Sequence, residues 1–281
     1  MNGVRRATGL GWPAQFLDLF LIQLTNWRWS WRQQLFLGVL FPTTGLLLLS
    51  TVAGENSSSS DRGYLVAGSV LMSVALQNQN LVASNFAFMK ANGTDVYFRT
   101  LPITVPLLPV ATLTSFAVLA LPAALVAVAV APQATDVALD TDLVLVPILA
   151  LTAAVVSYLG ALIALRTRTA PEASSLSFAV SLVLVSTGGV YFPTAELPTG
   201  LRAVSAVNPL TFAARAVRAA LLAATEDASV VLDTGLLAIW VVALAAAVHV
   251  SMRSGYSRLR RWPSTSTGAA PATTCSNSAA R

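Results

Sequence analysis

Four polar side chains within an otherwise apolar run are the first candidates for chemistry. They recur at three- and four-residue spacing, which places them on one face of a helix: Ser73, Gln77, Asn80 and Ser84. Amides and hydroxyls in this arrangement could line a translocation path or form a polar seam between subunits. They could equally serve ordinary hydrogen bonding between membrane helices, or project into the cytoplasm at one end of the helix. The pattern leaves these alternatives open.

The chain lacks the residue sets of common catalytic and nucleotide-binding sites. It has one histidine, His249, and one cysteine, Cys275, so no disulfide framework and no Cys/His metal cluster can form. Its only lysine, Lys90, lies outside the G-x-x-x-x-G-K-[ST] frame that binds phosphates. No Asp, Glu or Lys lies centrally in an apolar run, which disfavours an ion-coupled carrier. The basic residues form no aromatic-interleaved patch of the kind that binds nucleic acid.

The composition is that of a membrane protein. The chain is 55% hydrophobic and 10% charged, whereas soluble domains carry about 25% charged residues. Six apolar runs are long enough for the roughly 20 residues of a membrane helix: Gln33–Ala53, Tyr64–Phe88, Ile103–Val130, Leu143–Leu165, Ser174–Tyr191 and Val231–Met252. The fifth run carries small residues suited to close helix packing, among them Ser174, Ser177, Ser181 and Ser186. These runs predict an all-α integral membrane protein with six transmembrane helices.

The basic residues predict the orientation of the chain. With the N-terminus in the cytoplasm, 13 of the 17 basic residues fall inside, the asymmetry that the positive-inside rule describes. Both termini are therefore expected in the cytoplasm. Residues 1–32 form the N-terminal segment, residues 33–252 the transmembrane domain, and residues 253–281 a tail whose Ser, Thr, Ala and Pro content is typical of disorder.

An aromatic and basic segment precedes the first run. Trp27, Arg28 and Trp29 follow residues at helical spacing, namely Phe16, Leu17, Phe20 and Leu24. Tryptophan prefers the headgroup layer of a membrane, and arginine is attracted to anionic lipid there. The segment is expected to form an amphipathic interfacial helix on the cytoplasmic leaflet. An aromatic anchor at the end of the first span would use the same residues.

Prolines interrupt the chain before the last run. Pro193, Pro198 and Pro209 exclude one straight helix, and the backbone that they free must be buried in protein or reach water. The pattern predicts an outer re-entrant helical hairpin, in which Asn208 caps the next helix and Pro209 occupies its first position. That helix is expected in the outer interface. Its arginines, Arg215 and Arg218, either guide an anionic substrate or, more simply, reach lipid phosphates, and Asp233 is interpreted as a helix-start residue.

Three blocks of sequence, in this order, resemble the type-two permease family of ABC exporters, and within it the daunorubicin-resistance-like drug-exporter permeases of actinobacteria. The first block is Asn26-Trp27-Arg28 running into Phe41-Pro42. The second is Gly93-Thr94 followed by Tyr97-Phe98-Arg99-Thr100-Leu101-Pro102-Ile103. The third contains Phe192-Pro193, Glu196-Leu197-Pro198, Leu201-Arg202, Asn208-Pro209-Leu210 and Arg215. The likeness covers about residues 14–255.

The resemblance implies a division of labour between chains. Two permease subunits, identical or paralogous, would face each other in a bacterial cytoplasmic membrane, and separate P-loop ATPases would bind ATP and Mg²⁺ beneath them. The loop after the second run would be the coupling helix that contacts the ATPase, through Lys90, Gly93, Thr94, Phe98, Arg99, Leu101 and Pro102. Its low charge departs from the family, and from composition alone it would be a plain connection. The broken segment would close the outer exit, with Pro193, Glu196, Pro198, Asn208, Pro209 and Arg215 in it.

The implied function is outward movement of a hydrophobic or amphipathic compound, such as a drug, an antibiotic or a lipid. A lipid-linked glycan exporter with the same fold is an alternative. An ion-coupled carrier and a non-transporting membrane anchor are alternatives from other classes. These would be indifferent to changes in the loop at Phe98 and Arg99, whereas an exporter would lose transport.

Overall fold

A computed structural model describes residues 11–25, 32, 36–53, 59–93, 107–135, 143–191, 198–221 and 230–259, which are helical apart from turns and contain no strand. A π-helical turn at Phe36–Leu40 leads into the second helix. The helices are α1 (Trp12–Thr25), α2 (Phe41–Ala53), α3 (Ser59–Ala91), α4 (Leu107–Thr135), α5 (Leu145–Arg166), α6 (Ala170–Thr187), α7 (Thr199–Val207), α8 (Pro209–Leu221) and α9 (Val230–Leu259). The predicted all-α class is confirmed for these residues.

Four of the predicted spans lie on helices that are long and apolar enough to cross a membrane. These helical segments are Pro109–Val130, Leu145–Arg166, Ala170–Thr187 and Val230–Met252. The first predicted span corresponds to a shorter apolar helix, Gly38–Thr51. The second corresponds to α3, which is long enough but carries four consecutive amide residues, Gln77 to Asn80, that lower its hydropathy. The count of six spans therefore stays a prediction.

Helix α3 lies at the centre of the bundle. It packs against α2, α4, α5, α6 and α8, and residues 65–71 and 73–80 are all buried. Small residues on its neighbours allow this close approach. A Cβ atom added at Gly160 of α5 would lie 2.5 Å from the carbonyl oxygen of Gln79. The amides of α3 are therefore surrounded by protein, which explains how so polar a helix can occupy the middle of an apolar bundle.

Helices α6 and α9 lie at the periphery and expose apolar side chains. Only 22% of the Ala170–Thr187 segment and 17% of Val230–Met252 are buried within the chain, against 56% of Leu145–Arg166. Large exposed residues on α9 include Ile239, Val242 and Val250. Exposure of such large apolar surfaces to water is unfavourable, so these surfaces face lipid or another apolar subunit. Helix α9 continues beyond the predicted end of the last span, to Leu259.

Helix α1 has its polar contacts on the inside and apolar side chains on the outside. The amide nitrogen of Gln23 donates to the hydroxyl of Thr112 on α4 at 3.1 Å, and the hydroxyl of Ser115 donates to the carbonyl of Phe20 at 3.3 Å. Trp12 is 71% exposed, and Leu21 and Ile22 are also exposed. A helix at this place is confirmed. Its position on a membrane surface stays a prediction, and Trp27, Arg28 and Trp29 lie outside the described residues.

Candidate functional site

The centre of the candidate site is the amide run of α3, from Gln77 to Asn80. Successive residues of a helix point about 100° apart, so the four side chains reach different neighbours. The amide of Gln77 approaches the π-helical turn so closely that a Cβ atom at Gly38 would overlap it. Asn78 points to α5, whereas Gln79 and Asn80 point to α6. The run therefore connects α3 to three of the segments around it.

Hydrogen bonds of Asn78 and Asn80 tie α3 to its neighbours. The amide nitrogen of Asn78 donates to the carbonyl of Ala153 at 2.8 Å and to the hydroxyl of Ser157 at 2.7 Å, both on α5. Asn80 and Ser174 of α6 exchange two bonds. The amide nitrogen donates to the Ser174 carbonyl, and the Ser174 hydroxyl donates to the amide oxygen, each at 3.1 Å. In an apolar medium such bonds are costly to break without replacement.

The predicted polar stripe of α3 is divided by the structure. The Ser73 hydroxyl donates to the carbonyl of Val70 in its own helix at 2.7 Å. Gln77 and Asn80 are buried within the chain, with 3% and 4% of their surface exposed, and Ser84 is half-buried. These contacts favour the interpretation as interhelical hydrogen bonding. A role for the stripe in a pathway or a subunit seam stays a prediction.

Three buried polar atoms between α3 and α6 were missed by the sequence reasoning as a group. The amide nitrogen of Gln79 donates to the Ser177 carbonyl at 3.3 Å. The amide oxygen of Gln79 and the hydroxyls of Ser177 and Ser181 are fully buried without a hydrogen-bond partner in the described structure. The predicted close packing of the small residues of α6 is confirmed for these serines, whereas Ser186 is exposed. Only the packing of α6 on α3 identifies Gln79 as their neighbour.

At the cytoplasmic end predicted for α3, Lys90 contacts the end of α5. Its ammonium donates to the carbonyl oxygens of Thr167 at 2.9 Å and Leu165 at 3.2 Å. The last carbonyls of a helix lack partners within it and carry a partial negative charge, so a cation is stabilised there. Gly93 ends the following turn with a φ of +63°, the left-handed region that favours glycine. The other predicted coupling residues, Thr94, Phe98, Arg99, Leu101 and Pro102, lie outside the described residues.

The predicted break around Asn208 is confirmed. Helix α7 ends at Val207 and α8 begins at Pro209, and the side-chain oxygen of Asn208 accepts from the backbone N–H of Leu210 at 2.9 Å. The side-chain nitrogen donates to the carbonyl of Leu184 at 2.7 Å and the hydroxyl of Thr187 at 3.0 Å, both on α6. Asn208 therefore caps α8 and also fastens it to α6. Pro198 directly precedes α7, Pro193 and Glu196 lie outside the described residues, and a re-entrant placement stays a prediction.

The predicted position of α8 in the outer interface stays a prediction, and the structure shows which protein groups Arg218 contacts. Helix α8 packs against α3, α5 and α9, and even Thr211 and Ala214 on its flanks are buried. The guanidinium of Arg218 lies 4.0 Å from the ring centre of Tyr64 and donates to the carbonyl of Gly189 at 3.2 Å. Burial lowers the pKa of Arg218, and Tyr64 opposes that shift.

Arg215 forms an ion pair with Asp233 in the first turn of α9. Its guanidinium also lies 5.3 Å from the ring centre of Phe212. The Arg215 side chain is 45% exposed, whereas that of Asp233 is 4% exposed. Asp233 is thus a helix-start residue, as interpreted, and in addition the buried partner of a cation on α8. Together the two arginines connect α8 to α3, the end of α6 and α9.

The described residues contain no group of three or more His, Cys, Asp and Glu side chains that could hold a metal ion. Their polar groups make hydrogen bonds between helices, and Arg215 and Asp233 form an ion pair at the start of α9. Such an arrangement can hold helices in register and can be rearranged when helices move.

Comparison with known proteins places most of the chain in one family model. Residues 15–222 match the model described as ABC-2 type transporter. The matched segment begins in α1 and extends past the end of α8, so it includes the amide run of α3, Lys90 and the Asn208 cap. No curated protein matches the chain.

Proposed function

The chain belongs to the ABC-2 type transporter family, and on that premise we propose that it is the permease subunit of an ATP-driven exporter for a hydrophobic or amphipathic compound. The family domain is a permease and not a catalytic ATPase, and it works with an ATP-binding subunit in ABC transporters. The protein is accordingly a membrane-embedded, multi-pass subunit.

The observation that carries this proposal is the extent of the family match. It covers residues 15–222, which include the amide run of α3 and the contact of Lys90 with the end of α5. The exposed apolar surfaces of α6 and α9 support a location in lipid. In this role the chain performs no bond chemistry. Its work is to expose a pathway alternately to the two sides of the membrane, with energy from a second chain that binds ATP and Mg²⁺.

The finer parts of the proposal rest on the resemblance of short blocks. The stretch from Gly93 to Ile103 supports a daunorubicin-resistance-like exporter of drugs, antibiotics or lipids from a bacterial cell. In that arrangement two permease copies or paralogues pair in the membrane, and both termini lie in the cytoplasm, as the 13-to-4 distribution of basic residues supports. Phe98 and Arg99 contact the ATPase.

The first experiment is purification of the tagged protein from its native host in mild detergent, with mass spectrometry and an ATP hydrolysis assay. We expect a P-loop ATPase to co-purify and to hydrolyse ATP in a vanadate-sensitive manner. A preparation without any nucleotide-binding partner, also after crosslinking, would refute the proposal.

Variants of the loop test the coupling role. We expect Phe98→Ala and Arg99→Ala to reduce efflux of an amphipathic fluorescent drug from cells while the protein remains in the membrane. Asn92→Ala is the matched control, because Asn92 is exposed in the same loop and lies outside the resembling block. Equal efflux in all three variants would argue against a coupling role of this loop.

A further inference from the structure

Three helix ends meet at Lys90. The residue lies in the last turn of α3, and its ammonium bonds to the carbonyls of Leu165 and Thr167. Helix α5 ends at Arg166 and α6 begins at Ala170, so the turn between them contains only residues 167–169. Lys90 therefore links the start of the following loop to the turn that joins α5 and α6.

The turn that receives Lys90 is held by backbone and capping hydrogen bonds. Thr167 is 2% exposed, and its backbone N–H donates to the carbonyl of Ile163 at 3.0 Å. The Thr169 hydroxyl caps α6 by accepting from the backbone N–H of Glu172 at 3.3 Å. The Glu172 carboxylate in turn accepts from the backbone N–H of Arg168 at 3.0 Å. This reciprocal capping fixes the direction in which α6 leaves the turn.

Next to the contact of Lys90 with the turn, alanines pack α3, α5 and α6 together. Ala83 and Ala87 of α3, Ala164 of α5 and Ala173 of α6 form one buried cluster, each at most 1% exposed. Small side chains bring the helix backbones close together, and a close-packed interior transmits displacement because it compresses little. A force on the end of α3 is therefore transmitted to α5 and α6 through packing and, at the outermost point, through Lys90.

Among the described residues, Lys90 bonds to two carbonyl oxygens and to no carboxylate. Its two acceptors are carbonyls at the end of α5, and the exposed basic residues Arg166 and Arg168 flank the same turn. These neighbours oppose the approach of another cation, so the two bonds and the negative end of α5 must hold the ammonium in place. A side chain of similar length without donors cannot make this link.

We propose that Lys90 is a positioning residue that transmits displacement of the loop at residues 90–102 to the turn between α5 and α6. The inference rests on the proposed function, in which that loop receives motion from the ATPase. Helix α6 carries Ser174 and Ser177, which bond to the amides of α3. Motion that enters at the turn thus reaches the buried polar contacts of the bundle directly.

The contact itself is tested on the purified chain, because Lys90 is the only lysine. Acylation of the peptide that contains Lys90, measured by mass spectrometry and separately from the N-terminal amine, therefore reports on one side chain. The matched reference is the Lys90→Arg, Arg166→Lys double variant. Positions 90 and 166 are both exposed, so a difference in rate reports on hydrogen bonding and not on burial. We expect Lys90 to react about tenfold more slowly, since it must first release two hydrogen bonds. Equal rates would overturn the inference.

The transmission is tested on the complex with the co-purified ATPase. In a Cys275→Ser background, single cysteines at Ala91→Cys and Ser175→Cys report on the loop and on α6, since both positions are exposed. The measurement is the ratio of maleimide labelling rates with and without ATP and vanadate. We expect both ratios to depart from unity when Lys90 is present. In Lys90→Met the ratio at position 91 should persist, and the departure from unity at position 175 should fall by about half or more, the remainder being transmitted through the alanine packing.

Two controls separate transmission from stability. Lys90→Arg retains donors and should preserve the response at position 175, and Arg166→Met should leave both reporters unchanged. All variants are compared as folded complexes isolated by size exclusion. ATP hydrolysis with an undiminished response at position 175 in Lys90→Met, or with no response at either reporter, would refute this inference alone. A preparation that hydrolyses no ATP would refute the proposed function, and this inference with it.

Discussion

The ion pair between α8 and α9 should be asymmetric, in that loss of one partner costs far more stability than loss of the other. Asp233 is 4% exposed at its side chain, whereas Arg215 is 45% exposed. Arg215→Met leaves a buried carboxylate without its partner. Asp233→Asn leaves a guanidinium that water can reach, next to an amide oxygen that can still accept a hydrogen bond. We therefore expect Arg215→Met to be the more damaging change.

The size of the asymmetry follows from the surroundings of Asp233. Breaking a buried pair by removing one partner costs about 3–5 kcal/mol. The N-terminus of α9 stabilises a carboxylate in its first turn by about 0.3–1 kcal/mol. Arg218 also lies near enough to attract the Asp233 carboxylate. We expect Arg215→Met to lower the free energy of unfolding by about 2–3 kcal/mol, and Asp233→Asn by about 0.5–1 kcal/mol.

Unfolding by sodium dodecyl sulfate in mixed micelles, followed by tryptophan fluorescence, measures these free energies. The double variant Arg215→Met, Asp233→Asn contains no buried charge, so it should be more stable than Arg215→Met alone. Arg166→Met, a change at another exposed arginine, should alter stability by less than about 0.5 kcal/mol. The reasoning is refuted if Asp233→Asn is the more damaging single change, or if the double variant is no more stable than Arg215→Met.

Three further predictions concern helix packing and capping. Gly160→Ala should destabilise the protein by about 1–3 kcal/mol, because the new Cβ would clash with a backbone oxygen of α3 that cannot move away. Gly45 has open space around it, so Gly45→Ala should leave stability unchanged or raise it. The unfolding titration described above measures both variants. Asn208→Ala should lower the free energy of unfolding by about 2–3 kcal/mol, because it removes the α8 cap and two bonds to α6. Asn208→Ser can still cap α8, so it should lose only the part of the stability that the two bonds to α6 provide. Equal losses in thermal midpoint for the two variants would contradict the capping role. Ser157→Ala should destabilise the protein, because it removes a bond to a buried amide. Ser181→Ala should be neutral or stabilising, because the Ser181 hydroxyl lacks a partner in the described structure. The opposite order of stability in a thermal shift assay would contradict this assignment.

Local features of the fold could be predicted because they depend on residues a few positions apart. Asn208 followed by Pro209 predicts a helix start, and the structure shows the cap at that place. Long apolar runs predict helices of membrane-spanning length, and four of them appear as such. Both rules act within one or two helical turns, so no knowledge of the remaining chain is required.

Helix α3 shows where a rule based on hydropathy reaches its limit. Its four consecutive amides lower its hydropathy, although residues 65–71 and 73–80 are all buried. Hydropathy describes transfer into lipid, whereas α3 is surrounded by protein, where an amide is stabilised by a partner. The polar stripe of α3 could therefore be recognised in the sequence. The helices that its side chains contact could not, and Gln79 was missed.

The sequence by itself predicted the all-helical class, the helix start at Asn208-Pro209 and the ABC-2 permease family. The tertiary structure alone decided which groups meet. Lys90 bonds to carbonyls 75 and 77 residues away, Asn80 pairs with Ser174 across 94 residues, and Arg218 stacks on Tyr64 of α3. A lone lysine, amide or arginine has many possible partners along a chain. Close packing of helices selects one of them, because the position of each side chain depends on the register and depth of every helix around it.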